Sequence, residues 1–267
     1  MTSFEQAFGD TERAAASTLK SATDLAKVAR QLHKAAQDGN IGSIKRAAAS
    51  LTNSLDALRQ EVANATGTWP FDDEAEEQYL KDQYAAELSS AATEKGLRIY
   101  ESDGRLISYP SVIRVLPGEK AIRIDKKKVF AIRPSHLVSI LLDNQKKGPR
   151  FSQGVFLEAL YNAYRFLSED QRSGRLIDDR QVGSVVPLAK IYEVFTSLPG
   201  SNREYDQTDF ARDLYFLDEG EIRQTRSGAR VTFPASTGTR SARGTFSFVG
   251  PDGHVITYYG IQFSGGA

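Results

Sequence analysis

With three histidines, no cysteine and widely scattered acids, this sequence has few residues whose type and spacing suit catalysis. His33, His136 and His254 lie far apart, and none has a second ligand type at helical or hairpin spacing, so no shared metal site is expected from them. The absence of cysteine excludes disulfides, thiolate metal sites and a cysteine nucleophile, and fits a reducing compartment. The sequence also lacks a G-x-x-x-x-G-K-[ST] phosphate loop, a G-x-S-x-G elbow and an H-E-x-x-H pair. One pattern with catalytic meaning remains: Asp125-Lys126-Lys127 follows an apolar strand at 122–124, and Asp103 precedes it in a turn. Metal-dependent nucleases use an acid followed by acid-x-Lys, the carboxylates holding a hard divalent cation and the lysine positioning water. Asp103, Asp125 and Lys127 are therefore the catalytic candidates. The plainer reading is a strand end that passes into a solvated basic loop.

Cations carry a broader signal. Between 98 and 133, Arg98, Arg114, Lys120, Arg123, Lys126, Lys127, Lys128 and Arg133 are interleaved with Ile and Val. Period-two alternation puts several of them on one sheet face and the apolar residues on the other. Such a row matches the spacing of a phosphate backbone, and Lys146, Lys147 and Arg150 extend it into a loop. A solvated outer sheet face would have the same pattern. A second group, Arg223, Arg226 and Arg230, closes a stretch at 187–234 whose order is helix, loop, helix, hairpin. A winged-helix module has that order, with a recognition helix in the groove and basic wing residues on the phosphates. The helix in the recognition position, 208–217 with an N-cap at Thr208, carries Asp209 and Asp213 against Arg212 alone, so it would face phosphates poorly. Tyr258, Tyr259 and Phe263 read as β core rather than as stacking platforms for bases.

Charge and hydrophobic period both change along the chain. Residues 1–96 hold 10 Lys/Arg against 15 Asp/Glu, net −5; residues 97–150 hold 12 against 5, net +7; residues 151–267 hold 12 against 14, net −2. A balanced total argues against bulk adhesion to polyanions while leaving room for a local basic face. The spacing predicts a helical hairpin over 11–65, opened at Asp10-Thr11, turned at Asp38-Gly39-Asn40 and broken at 67–70. Its first arm carries Leu19, Ala22, Leu25, Ala29 and Leu32. The second carries Ile44, Ala48, Leu51, Leu55, Leu58, Val62 and Ala65 in steps of four and three, the seam of a coiled coil or an antiparallel pair. That seam can close within one chain or between two. A third helix is expected from Asp72 to Lys95-Gly96, starting on acids that suit the helix dipole. From Leu97 the period becomes two, and turn signals at 102–104 and 117–119 predict an antiparallel meander followed by a helix from Pro134 to about Asp143. Further helices are expected over 154–168, with Val155, Phe156, Leu160, Tyr164 and Leu167 on the buried side, and over 187–198. The chain becomes β again after Gly220.

The reading is thus an α+β protein: an N-terminal helical hairpin or coiled-coil arm with a third helix (1–96), a small basic antiparallel β-meander with a helix (97–150), and a mixed helix and β-hairpin region (151–267) that is winged-helix-like at 187–234. No signal peptide or apolar span is present, so a soluble, cytoplasmic protein without membrane contact is expected. The expected role is that of a non-catalytic nucleic-acid-binding accessory or assembly protein, with DNA the expected polymer and no cofactor. It would dock to a protein partner or self-associate through Ile44, Leu51, Leu55, Leu58 and Val62. The alternatives are a protein–protein scaffold subunit of a larger complex, and the nuclease.

Overall fold

Ser3 begins the first helix by accepting a hydrogen bond from the Gln6 amide, so α1 runs over Phe4–Gln37 and starts well before the expected Asp10-Thr11 cap. The computed structural model describes residues 2–102, 104–149, 151–172, 183–234 and 244–265. The chain folds as an α+β protein of two compact units. The first comprises 1–91 together with 117–120 and 131–137, so two short pieces of the basic central region fold with the helical arm. The second comprises 92–116, 121–130 and 138–267.

In the first unit, Asp38 ends α1, Gly39 takes φ 68°, and the Asn40 side chain caps α2 (Ile41–Gly67). The two helices pack on each other, Thr18 Oγ1 donating to the Glu61 carbonyl at 3.1 Å, so the seam closes within the chain. It closes along small residues. Ala7, Ala14, Ala35 and Ala47 are buried, whereas Ile44, Leu51 and Leu58 are only half-buried and Leu55 and Val62 lie on the exposed flank. Leu19, placed by its spacing on the apolar side, is 70% exposed. The expected third helix is two, α3 (Asp73–Asp82) and α4 (Tyr84–Glu94), broken at Gln83. On one straight helix Tyr79 and Tyr84 would project about 140° apart. The break lets both meet Phe4, Tyr79 stacked on it at 4.3 Å and Tyr84 edge-on at 6.2 Å. Phe8, Trp69 and Phe71 complete this aromatic cluster. Its polar edges are satisfied: the Tyr79 hydroxyl donates to Glu87, Trp69 Nε1 to Glu76, and the Tyr84 hydroxyl to the Ile132 carbonyl. Burial and then the Glu87 carboxylate push the Tyr79 phenol up to about 12. Glu5, in the first turn of α1, accepts from Arg133 Nε at 2.7 Å and from the Ser135 amide at 2.9 Å.

In the second unit the expected meander forms a five-stranded antiparallel sheet in sequence order: β1 (Tyr100–Ser102), β2 (Arg105–Ser108), β3 (Ser111–Leu116), β4 (Ala121–Ile124) and β5 (Lys127–Val129). Register places Leu106, Ile113, Ile124 and Lys127 on one face, and Arg114, Arg123 and Lys128 in a cross-strand row on the other. The helix α5 (Pro134–Lys147) runs a turn past its expected end, and α6 (Gln153–Arg172) follows. On α6 the buried side is Leu157, Leu160, Ala163 and Tyr164; Val155, expected there, is 67% exposed. Next come β6 (Val186–Pro187), α7 (Leu188–Phe195), a single turn α8 (Ser201–Glu204) and α9 (Gln207–Asp218), which starts on Asp206 rather than Thr208. The strand β7 (Arg230–Thr232) pairs with β10 (Gly260–Ser264), which also pairs with β6, while β8 (Phe246–Val249) and β9 (Val255–Tyr258) form a hairpin. Leu157, Leu160, Phe210, Leu214, Phe248 and Phe263 form the fully buried centre. Tyr258 and Phe263 belong to that core, as their strand context predicts. The helix in the recognition position, α9, is buried continuously from Thr208 to Leu217 and has no free face for a groove. Among the described residues, no helix is long and apolar enough to cross a membrane.

Candidate functional site

The chemistry of the second unit concentrates where α9 meets the cationic face of the sheet. Asp206 and Asp209 form a capping box at the start of α9, each side chain accepting from the other's backbone amide. The same two carboxylates also neutralise the sheet. Arg105 Nε lies 3.0 Å from Asp206, and Arg114 lies 2.5 Å from Asp206 and 2.9 Å from Asp209. Arg114, counted among the phosphate-contacting residues on its alternation, is 9% exposed and donates also to the Arg203 carbonyl, so it is a structural cation.

One turn further, Arg212 lies 2.7 Å from Asp125, 3.2 Å from Asp213 and 3.6 Å from Asp209. Asp125 is the first of two turn residues between β4 and β5 and takes φ 53°, the left-handed conformation that primed hairpin turns require there. Its carboxylate accepts from the Val112 amide at 3.0 Å and from Ser111 Oγ at 3.2 Å, in addition to Arg212. Asp125 is thereby committed to holding a turn and a guanidinium, which removes the geometric basis for giving it a metal. Asp103 lies outside the described residues. Among the described residues, no three His, Asp or Glu side chains gather in a way that could hold a metal ion.

The cluster sets four carboxylates, Asp125, Asp206, Asp209 and Asp213, against three guanidiniums, Arg105, Arg114 and Arg212. Burial raises the Asp213 carboxyl above its ordinary range against the pull of Arg212 and of the Tyr205 hydroxyl bond. Burial raises Asp209 as well, and the Asp206 charge adds to the effect. Arg212 stays charged: burial lowers its proton affinity, but Asp213, Asp125 and Asp209 more than offset this.

Beside this network opens a cavity of about 690 Å³, within the range of small-ligand sites. Ser111, Asp125, Asn144, Arg212 and Asp213 supply its polar lining. Phe151, Phe156 and Phe216 form an aromatic wall, with Phe151 5.4 Å from Phe156 and 5.6 Å from Phe216. Lys126 from the β4–β5 turn, Lys127 at the start of β5 and Lys147 from the end of α5 line it too, and all three are exposed. Lys146 is exposed beside Lys147.

The structure therefore sorts the predicted cations into groups. Lys126, Lys127 and Lys147 line one cavity, Lys146 is exposed next to Lys147 in the chain, and Arg123 is half-buried on the opposite sheet face from Lys127, with exposed Lys128. Lys120 and Arg133 belong to the first unit, where Lys120 pairs with Asp73 and Glu76 and Arg133 with Glu5 and Glu12. Arg223 pairs with Asp218 at 2.7 Å; Arg226 and Arg230 are exposed, and Arg230 is on β7. Arg150 lies outside the described residues. His33, His136 and His254 are exposed on separate elements.

The residues missed in the sequence are Arg212, Asp206, Ser111 and Asn144. A usable signal existed for Arg212. Its helix is apolar on every side (Phe210, Ala211, Leu214, Tyr215, Phe216, Leu217), which marks a buried helix, and a buried arginine needs carboxylates such as those at 209 and 213. No known family model, curated protein or solved structure matches the chain.

Proposed function

We propose that the protein binds nucleic acid without catalysing a reaction on it, through Lys126, Lys127, Lys146 and Lys147. One observation carries the reading. Arg105 and Arg114 of the sheet are paired with Asp206 and Asp209, while Lys126, Lys127 and Lys147 line one cavity from exposed positions and Lys146 is exposed next to Lys147 in the chain. Exposed lysines cost little to bring against phosphate and release counterions when they do so. The test is a salt titration of binding to short single- and double-stranded DNA and RNA. The expected result is affinity that falls steeply with salt, and a Lys126→Ala/Lys127→Ala variant whose log–log salt slope is shallower by about 2. No binding at low salt, where the phosphate contribution is largest, would overturn it.

A second reading is favoured by the arm: Leu19, Leu55 and Val62 remain exposed on a helix pair that has already closed its own seam. A protein-docking or self-association role uses that flank. Light scattering across a concentration series should then show a multimer that Leu19→Glu with Val62→Glu dissociates. A monomer at every concentration leaves only docking to a different protein.

A further inference from the structure

The cavity behind the lysines has features that a merely adhesive basic surface does not need. Its lining charges are Asp125 and Asp213 against Arg212, Lys126, Lys127 and Lys147, a surplus of two positive charges. Both carboxylates are within ion-pair distance of Arg212, so the surplus resides on the lysines. Apart from its charged and polar residues the lining is largely aromatic and aliphatic: Phe151, Phe156 and Phe216 with Ile124, Ile140 and Val155. Arg212 Cζ lies 5.9 Å over the Phe216 ring, which holds one side of that wall in place. Asn144 also lines the cavity, and its amide donates to Ser111 Oγ at 3.1 Å. A side-chain amide carries two donors and an acceptor, so one N–H and the carbonyl oxygen remain for a ligand edge.

We infer that this cavity takes a single nucleotide, either free or as an unpaired nucleotide of a strand; the inference rests on the nucleic-acid reading above. The base lies against the aromatic wall, its polar edge meets Asn144, and its phosphate is held by Lys126, Lys127 and Lys147. Aromatic faces accept any base, so selectivity here is for unpaired over paired nucleotides rather than for sequence. A base within a duplex presents its face to its neighbours and cannot enter.

The test uses the full chain, a fluorescein-labelled oligothymidylate, a blunt duplex of the same length, and free thymidine monophosphate as competitor. Ala159 and Val155 line the cavity from exposed positions on α6, so Ala159→Trp fills it without touching the core, and Val155→Trp does so independently. Circular dichroism verifies that both variants fold. Expected are tighter binding of the single strand than of the duplex and a loss of about tenfold in single-strand affinity in either variant, with duplex affinity unchanged. Competition by the monophosphate identifies a free nucleotide as a ligand; an unchanged single-strand signal in its presence, still sensitive to Ala159→Trp, assigns the site to a strand. Equal single-strand and duplex affinities, unaffected by either tryptophan, would overturn the cavity inference while leaving the surface reading intact. Monophosphate binding without any polymer binding would do the reverse. No binding of any of the three would overturn both.

Discussion

Replacing Arg212 with Met is expected to cost about 3–5 kcal/mol of stability near neutral pH, and to cost less as the solution is made mildly acidic. The side chain is 8% exposed and serves Asp125, Asp209 and Asp213, with Asp125 on a strained turn and the other two on its own helix. Met matches its packing volume but leaves Asp209 and Asp213 buried with weaker compensation, since Arg114 already serves Asp206 and Asp209 and Lys126 acts on Asp213 only from an exposed position. The carboxylates respond by taking up protons. Burial already holds Asp209 and Asp213 above the ordinary carboxyl range, and loss of the guanidinium raises them further. A carboxyl whose folded-state proton affinity exceeds its unfolded one makes the folded state bind more protons, so stability rises as pH falls through the raised range. Urea denaturation of wild type and Arg212→Met at about pH 7 and about pH 5 should therefore give a larger difference at the higher pH. A pH-independent difference would mean that Arg212 contributes packing rather than charge. Asp213→Asn is the control. It removes the surplus carboxylate and keeps an oxygen for the Tyr205 hydroxyl, so its cost should stay below about 1.5 kcal/mol.

Phe4→Ala is expected to destabilise the first unit by about 3–5 kcal/mol. Phe4 is almost fully buried near the very start of α1 and contacts five rings, Phe8, Trp69, Phe71, Tyr79 and Tyr84. Truncation leaves a void among planar, hydrogen-bonded side chains that cannot collapse inward without breaking the Trp69–Glu76 and Tyr79–Glu87 bonds. Trp69 is the sole tryptophan and lies against Phe4 at 5.8 Å, so its emission reports this unit directly. The variant should shift the emission of the folded protein and lower the urea midpoint followed at that signal. An unchanged midpoint would show that the first residues of α1 are not part of the cooperative unit.

The sequence made the α+β class, the helical hairpin and the order of the meander legible, because each rests on a local period or a turn residue. It did not reveal what fills the sheet's cationic face. Alternation correctly places Arg114, Arg123 and Lys128 side by side, but solvated and ion-paired arginines look the same in a period-two pattern. The distinction came from Asp206 and Asp209, about ninety residues away, and no local rule connects them with Arg114. The start of α1 departs from its local cap signal for a related reason. Asp10-Thr11 is a good local cap, yet Ser3 wins because Phe4 is buried against Tyr79 of α3 and Tyr84 of α4. The spacing around Asp125 suggests metal chemistry. Its carboxylate instead pins a hairpin turn and an arginine, a role that spacing alone cannot separate from ligation.

The bonds from Glu5 to Arg133 and Ser135 have a consequence for the order of synthesis. Their partners lie 128 and 130 positions apart, so the arm leaves the ribosome long before the residues that anchor its first turn exist. The helical hairpin can form early from its own neighbours, whereas closure of its base waits for the segment at 131–137, which follows all five strands of the β-meander. Translation therefore imposes a sequence of events that refolding from denaturant does not: in the nascent chain the arm forms first, and its anchor arrives only as the last piece of the first unit.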